Sequence, residues 1–81
     1  MEKRVAVLGI IVEDIASAPK VNEVLHEYSE FIIGRMGLPY REKDLNVISV
    51  VVDAPMDAIN ALSGKVGRID GVSAKTVCAT K

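Results

Sequence analysis

The residues best able to do chemistry in this chain gather in one short stretch. Gly34-Arg35-Met36-Gly37-Leu38-Pro39-Tyr40-Arg41 sets two guanidinium groups among glycines and beside an aromatic ring. Arg35 and Arg41 have the planar donor fork that grips a carboxylate or phosphate, and backbone N–H groups freed at Gly34 and Gly37 would help hold an anion. Tyr40 adds a flat apolar body with a polar tip. The same residues also read as a hairpin tip whose Pro39 and Tyr40 pack on a neighbouring subunit, with the arginines in salt bridges. Both readings, ligand site and subunit contact, stay open from the residues alone.

A second candidate is the carboxylate pair Glu13-Asp14, which could hold a cation or an amine, or simply solvate the end of a strand. His26 and Cys78 are the only histidine and cysteine. One of each is too few for a dedicated metal cage, and a lone cysteine forms no disulfide within one chain. His26 is expected on the wet face of a helix and Cys78 as a small packing residue, since a reactive thiol needs a base or a cationic setting. No phosphate-binding loop, dinucleotide fingerprint, nucleophile triad or zinc spacing occurs. The expectation is therefore a chain with no catalytic residues, no metal and no cofactor.

These residues must be positioned by local structure. Arg4–Val12 is a continuous apolar, β-branched run that reads as a strand buried on both faces. Ser17-Ala18-Pro19 opens a helix, with Ser17 as N-cap. Val21, Val24, Leu25 and Tyr28 form its buried stripe, leaving Asn22, Glu23, His26, Glu27 and Glu30 in water. Phe31–Met36 reads as a second strand, broken by Gly37-Leu38-Pro39, and Tyr40–Asp44 as a charged connection. Leu45–Val52 is a third strand, again apolar on both faces. Asp53-Ala54-Pro55 opens a second helix with Met56, Ile59, Leu62 and Val66 inward, and Gly67 can stop it. Asp70-Gly71 signals a turn before a last strand, Val72–Ala79.

The chain has 81 residues and is 49% hydrophobic, which allows one globular domain and no second. A domain of this size buries only about 60% of its unfolded surface, so a partner subunit would help it. Three aromatic residues and no tryptophan leave an aliphatic core. A net charge of −1 supplies no field for nucleic acid or an anionic membrane. The apolar run at the start is too short to span a bilayer. A free thiol without an export signal points to the cytoplasm.

The order βαββαβ implies a ferredoxin-like α+β fold, an antiparallel sheet of order 4-1-3-2 with both helices on one face. The doubly apolar runs then fall on the two central strands, and the mixed ones on the edges. This leaves a problem. Val5, Val7 and Ile11 oppose Leu8, Ile10 and Val12, and Val47 and Val51 oppose Ile48, Val50 and Val52. Two helices cover one set only, and no loop is long enough to cover the other. A second subunit on the open face, in a dimer or tetramer, is the expected answer.

KRVAVLGIIVED, VNEVLHEYSE, FIIGRMGLPYRE and ALSGKVGRIDGVSAKT together resemble the iron-only hydrogenase system regulators, and IIGRMGLPYRE, residues 32–42, is the sharpest match. These small bacterial proteins are related in fold to ACT domains and to the ligand-binding domain of nickel-responsive repressors. The resemblance implies a non-catalytic regulatory or sensory role near [FeFe]-hydrogenase genes. It also implies ligand sites at subunit interfaces and an effector position where Glu13 and Asp14 stand. The several histidines of the nickel-responsive relatives are missing. Regulators of this fold act through an attached DNA-binding domain, which is not expected here, so direct nucleic-acid binding is not expected either. The alternative is a small enzyme of the same fold. Acylphosphatases, however, need an arginine-bearing loop where Glu13-Asp14 stands, and α+β-barrel oxygenases a histidine or aromatic pocket. The expected partners are copies of the chain itself, with a small ligand or a protein partner.

Overall fold

The computed structural model describes residues 2–80. The elements are β1 (Lys3–Val12), α1 (Ala18–Glu27), β2 (Ile32–Tyr40), β3 (Leu45–Pro55), α2 (Met56–Gly67) and β4 (Val72–Cys78). Short 3₁₀ turns at Ile15–Ser17, Ser29–Phe31 and Arg41–Lys43 join them. All strand pairs are antiparallel and the order is β2-β3-β1-β4, the expected ferredoxin-like arrangement read from the other edge. The two doubly apolar runs are indeed the central strands.

Strand alternation sorts their side chains between two faces. Ala6, Leu8, Ile10 and Val12 of β1 and Ile48, Val50, Val52 and Ala54 of β3 are buried towards the helices. They meet Val21 and Leu25 of α1 and Ile59, Leu62 and Val66 of α2, which form one core with Val72. The helices also touch each other at their wet edge. Lys65 Nζ lies 3.4 Å from a Glu27 oxygen and 5.2 Å from the centre of the Tyr28 ring. Tyr28 and then Glu27 hold the lysine above its ordinary pKa of 10.5.

The boundaries differ from the sequence reading in informative places. β2 does not break at Gly37-Leu38-Pro39 but runs on to Tyr40, in register with β3 through Pro39 opposite Asn46. An edge strand tolerates proline, because the side without an N–H can face away from the ladder. The connection shrinks to Arg41–Asp44, closed by Asp44 in the left-handed region (φ 52°). β3 likewise continues through Asp53-Ala54-Pro55, and Pro55 both ends the strand and stands at the N-cap of α2, which starts at Met56. Met56 is 37% exposed, outside the stripe expected for it. Ser17 occupies the N-cap position of α1 without capping it. Its buried hydroxyl instead donates to the Asp70 carbonyl at 2.7 Å, tying the start of α1 to the turn before β4.

Candidate functional site

Because β2 continues as a strand, the stretch read as a loop is divided between two faces of the sheet. Arg35, Gly37 and Pro39 stand opposite Val50, Ile48 and Asn46, on the helix side. Gly34, Met36 and Tyr40 stand opposite Val51, Ser49 and Leu45, on the other side. Arg41 lies past the strand end, in the turn. Neither helix reaches far over β2, and most of its residues are exposed.

The two arginines accordingly line separate hollows. Arg35 donates from its guanidinium to Asn22 Oδ1 of α1. It borders a groove of about 210 Å³ between α1 and β2, with Asn22, Gly37, Asn46 and Ile48 around it. Arg41 borders a different hollow of about 220 Å³ with Ile15, Tyr40, Asp44 and Leu45. Tyr40 turns its hydroxyl to Glu42, donating at 3.1 Å. A single anion gripped by both arginines does not fit this geometry. The Arg35 groove keeps one guanidinium and two amides above an apolar floor, a donor set suited to a small carboxylate or phosphate. The sequence reading missed Asn22 and Asn46. Asn22 was visible only as a polar residue off the buried stripe of α1.

Glu13 and Asp14 lie at the end of β1, as expected, and are held there by backbone. Their N–H groups both donate to the Gly71 carbonyl, at 2.7 and 3.3 Å. The Asp14 carboxylate accepts from the Ala16 N–H at 3.1 Å, which closes the following turn, while the Glu13 side chain is exposed. This fixes Asp14 as a local cap. Gly71 has φ +74°, and an added Cβ would come within 2.5 Å of Asp14 Cβ. His26 is exposed on α1, and Cys78 is half-buried and packed against the core from β4. Among the described residues, no three His, Cys, Asp or Glu side chains gather in a way that could hold a metal ion.

A further surface, rich in exposed apolar side chains, is the sheet face away from the helices. Adjacent residues across β4, β1, β3 and β2 form rows there. One row is Val77–Val7–Val51–Gly34, with Ile33 beside it as the extra residue of a β-bulge. Another is Ser73–Ile11–Val47–Leu38. Val7 is 40% exposed and Val77 71%, and Val5, Ile33, Met36 and Leu38 are exposed too. Among the described residues, the strand charges on this face are Lys3 on β1, Asp53 on β3 and Lys75 on β4. Among the described residues, no helix is long and apolar enough to cross a membrane.

Comparison with known proteins fits this architecture. The chain is similar to an uncharacterized protein, TM1266 from Thermotoga maritima, at 44% identity and a TM-score of 0.93, over 98% of this chain and 100% of that one. It also resembles part of a formyltetrahydrofolate deformylase from Pseudomonas putida, at 12% identity and a TM-score of 0.68. That likeness covers 95% of this chain but 29% of the deformylase, and it speaks for the fold alone. A search of curated proteins finds no match. Residues 4–76 match the model of the TM1266-like family, described as "Iron-only hydrogenase system regulator, putative". With the whole-chain likeness to the Thermotoga protein, that match makes this chain a member of the TM1266-like family.

Proposed function

We propose that this chain is a non-catalytic regulatory module that works as a homo-oligomer through its open sheet face and takes a small ligand or a protein partner. The observation that carries the reading is that face. Side chains such as Val7, Met36, Leu38 and Val77 stand 40–71% exposed on one surface. Covering each would contribute roughly 1 kcal/mol at the usual return for apolar area. Soluble monomers seldom keep such a patch bare. The family description supports a regulatory role, and its system would be that of an iron-only hydrogenase.

The ligand half of the reading rests on the Arg35 groove, where, among the described residues, the guanidinium has an amide oxygen and no carboxylate as partner. A thermal-shift panel of amino acids, nucleotides, inorganic phosphate and metal ions tests it, because a ligand raises the melting temperature by mass action. An anionic member of the panel should stabilise the native protein and lose that effect in Arg35→Gln. An effect that survives the substitution removes the groove from the account. Silence across the panel favours a protein partner, to be sought by co-purification from native cells.

A further inference from the structure

We propose that Gly9 marks the point of closest approach between two copies of this chain, and that the hollow it leaves receives Met36 of the second copy. The proposal deepens the oligomeric reading above and rests on it. Gly9 lies in the middle of β1, a central strand, between the buried Leu8 and Ile10. Glycine weakens a strand interior, so it calls for a reason. Nothing among the described residues supplies one. Gly9 does not have positive φ, and β1 carries no bulge. A Cβ built on it would meet no atom of the described residues within 4 Å. The remaining reason for such a glycine is a close approach from outside.

The surroundings of Gly9 indicate what approaches. It belongs to the row Lys75–Gly9–Ser49–Met36, which lies between the two apolar rows. The open face is thus a small-residue hollow between two apolar ridges, with a long, adaptable methionine, 60% exposed, at one end of the hollow. A two-fold axis between facing sheets, running along the strands over Ser49, sets Met36 of each copy over Gly9 of the other. The same operation brings Leu38 over Ile11. Each contact is made twice, as a symmetric dimer requires. Lys3 and Lys75 against Asp53 leave this face close to neutral, so two copies do not strongly repel. The three rows across the three strands that overlap, β1, β3 and β2, outline on the order of 300 Å² per copy before side-chain relief. With the flanking rows of Val5 and Tyr40, two such faces bury on the order of 1,000 Å², near the low end for a specific interface.

The test is sedimentation velocity on the wild type, Gly9→Val and the double variant Gly9→Val/Met36→Ala, with circular dichroism to confirm folding. Valine suits a strand, and nothing in the chain obstructs it, so Gly9→Val should fold and melt no lower than the wild type when both are monomeric. Filling the hollow should raise the dissociation constant about tenfold or more, and shortening Met36 should recover part of that loss. Undiminished association of Gly9→Val overturns the proposal, and would send the hollow to a foreign protein or an apolar small molecule. Dissociation without any recovery in the double variant overturns the pairing with Met36. A monomeric wild type is a different failure, that of the oligomeric reading itself.

Discussion

Replacing Gly71 by alanine should destabilise the domain by about 2–4 kcal/mol, which is large for a one-carbon change. Gly71 holds φ +74°, where an L-residue pays about 1–2 kcal/mol that glycine does not. The added Cβ would stand 2.5 Å from Asp14 Cβ and 3.2 Å from Asp14 N. Ordinary carbon contacts begin near 3.5 Å, so the Asp70-Gly71 turn and the end of β1 must separate by about 1 Å. That movement works against the two hydrogen bonds from Glu13 and Asp14 to the Gly71 carbonyl, worth about 1 kcal/mol each. The total stability of a chain this size is roughly 4–12 kcal/mol, and the melting temperature should fall by about 10–25 °C. Urea unfolding followed by circular dichroism measures it, at one protein concentration for all variants because association adds a concentration-dependent part. Gly71→Asn separates the causes. Asparagine accepts left-handed backbone but keeps the Cβ, so it should stay well below wild type if the contact with Asp14 dominates. A loss below about 1 kcal/mol for Gly71→Ala would refute the reasoning, since it would mean that this turn does not clamp the strand end.

Other outcomes follow from the packing and the charges. Leu8→Ala removes a fully buried side chain beneath both helices and should cost about 2–5 kcal/mol in the same urea assay. Val7→Asp, the neighbouring position on the open face, should leave the monomer folded and abolish association, read by size-exclusion chromatography. Lys65 is fully exposed, so Lys65→Met should leave the unfolding midpoint within experimental scatter. Its pKa is raised in the folded state, so any stability it lends is complete below 10.5 and is lost only as pH rises through the higher folded value. The difference in stability between wild type and Lys65→Met should therefore stay constant between about pH 6 and 9.

Much of the fold could be read from residue types because few local signals conflict with it. The β-branched runs around Leu8 and Val50 are apolar at successive positions, which only central strands require. Val21, Leu25, Ile59, Leu62 and Val66 repeat at helical spacing and are the residues that close the core. The misreadings share one physical origin. Gly37 and Pro39 break most structures, but β2 is an edge strand with one free side, where neither is excluded. Pro55 does open α2 as its N-cap, but it also ends β3, so the strand runs three residues further than its apolar run shows. That error about β2 carried over to the site, because a loop can gather Arg35 and Arg41 while a pleated strand sends neighbouring side chains to opposite faces. The pairing of Arg35 with Asn22 depends on how α1 crosses the sheet edge, which no local pattern encodes. The role of Gly71 was visible only as a turn, since its contact with Asp14 spans most of the chain. Gly9 was in plain view as the one interruption of an apolar run, but its meaning needed the space above it.

The account depends most on whether this domain leaves its second sheet face in water. Sedimentation velocity of the unmodified protein across roughly 1–100 µM measures that directly. A dimer or tetramer that persists into the low micromolar range, with the amides of β1 and β3 strongly protected from hydrogen exchange, is the predicted result. A single species at the mass of one 8.7 kDa chain throughout that range would contradict it.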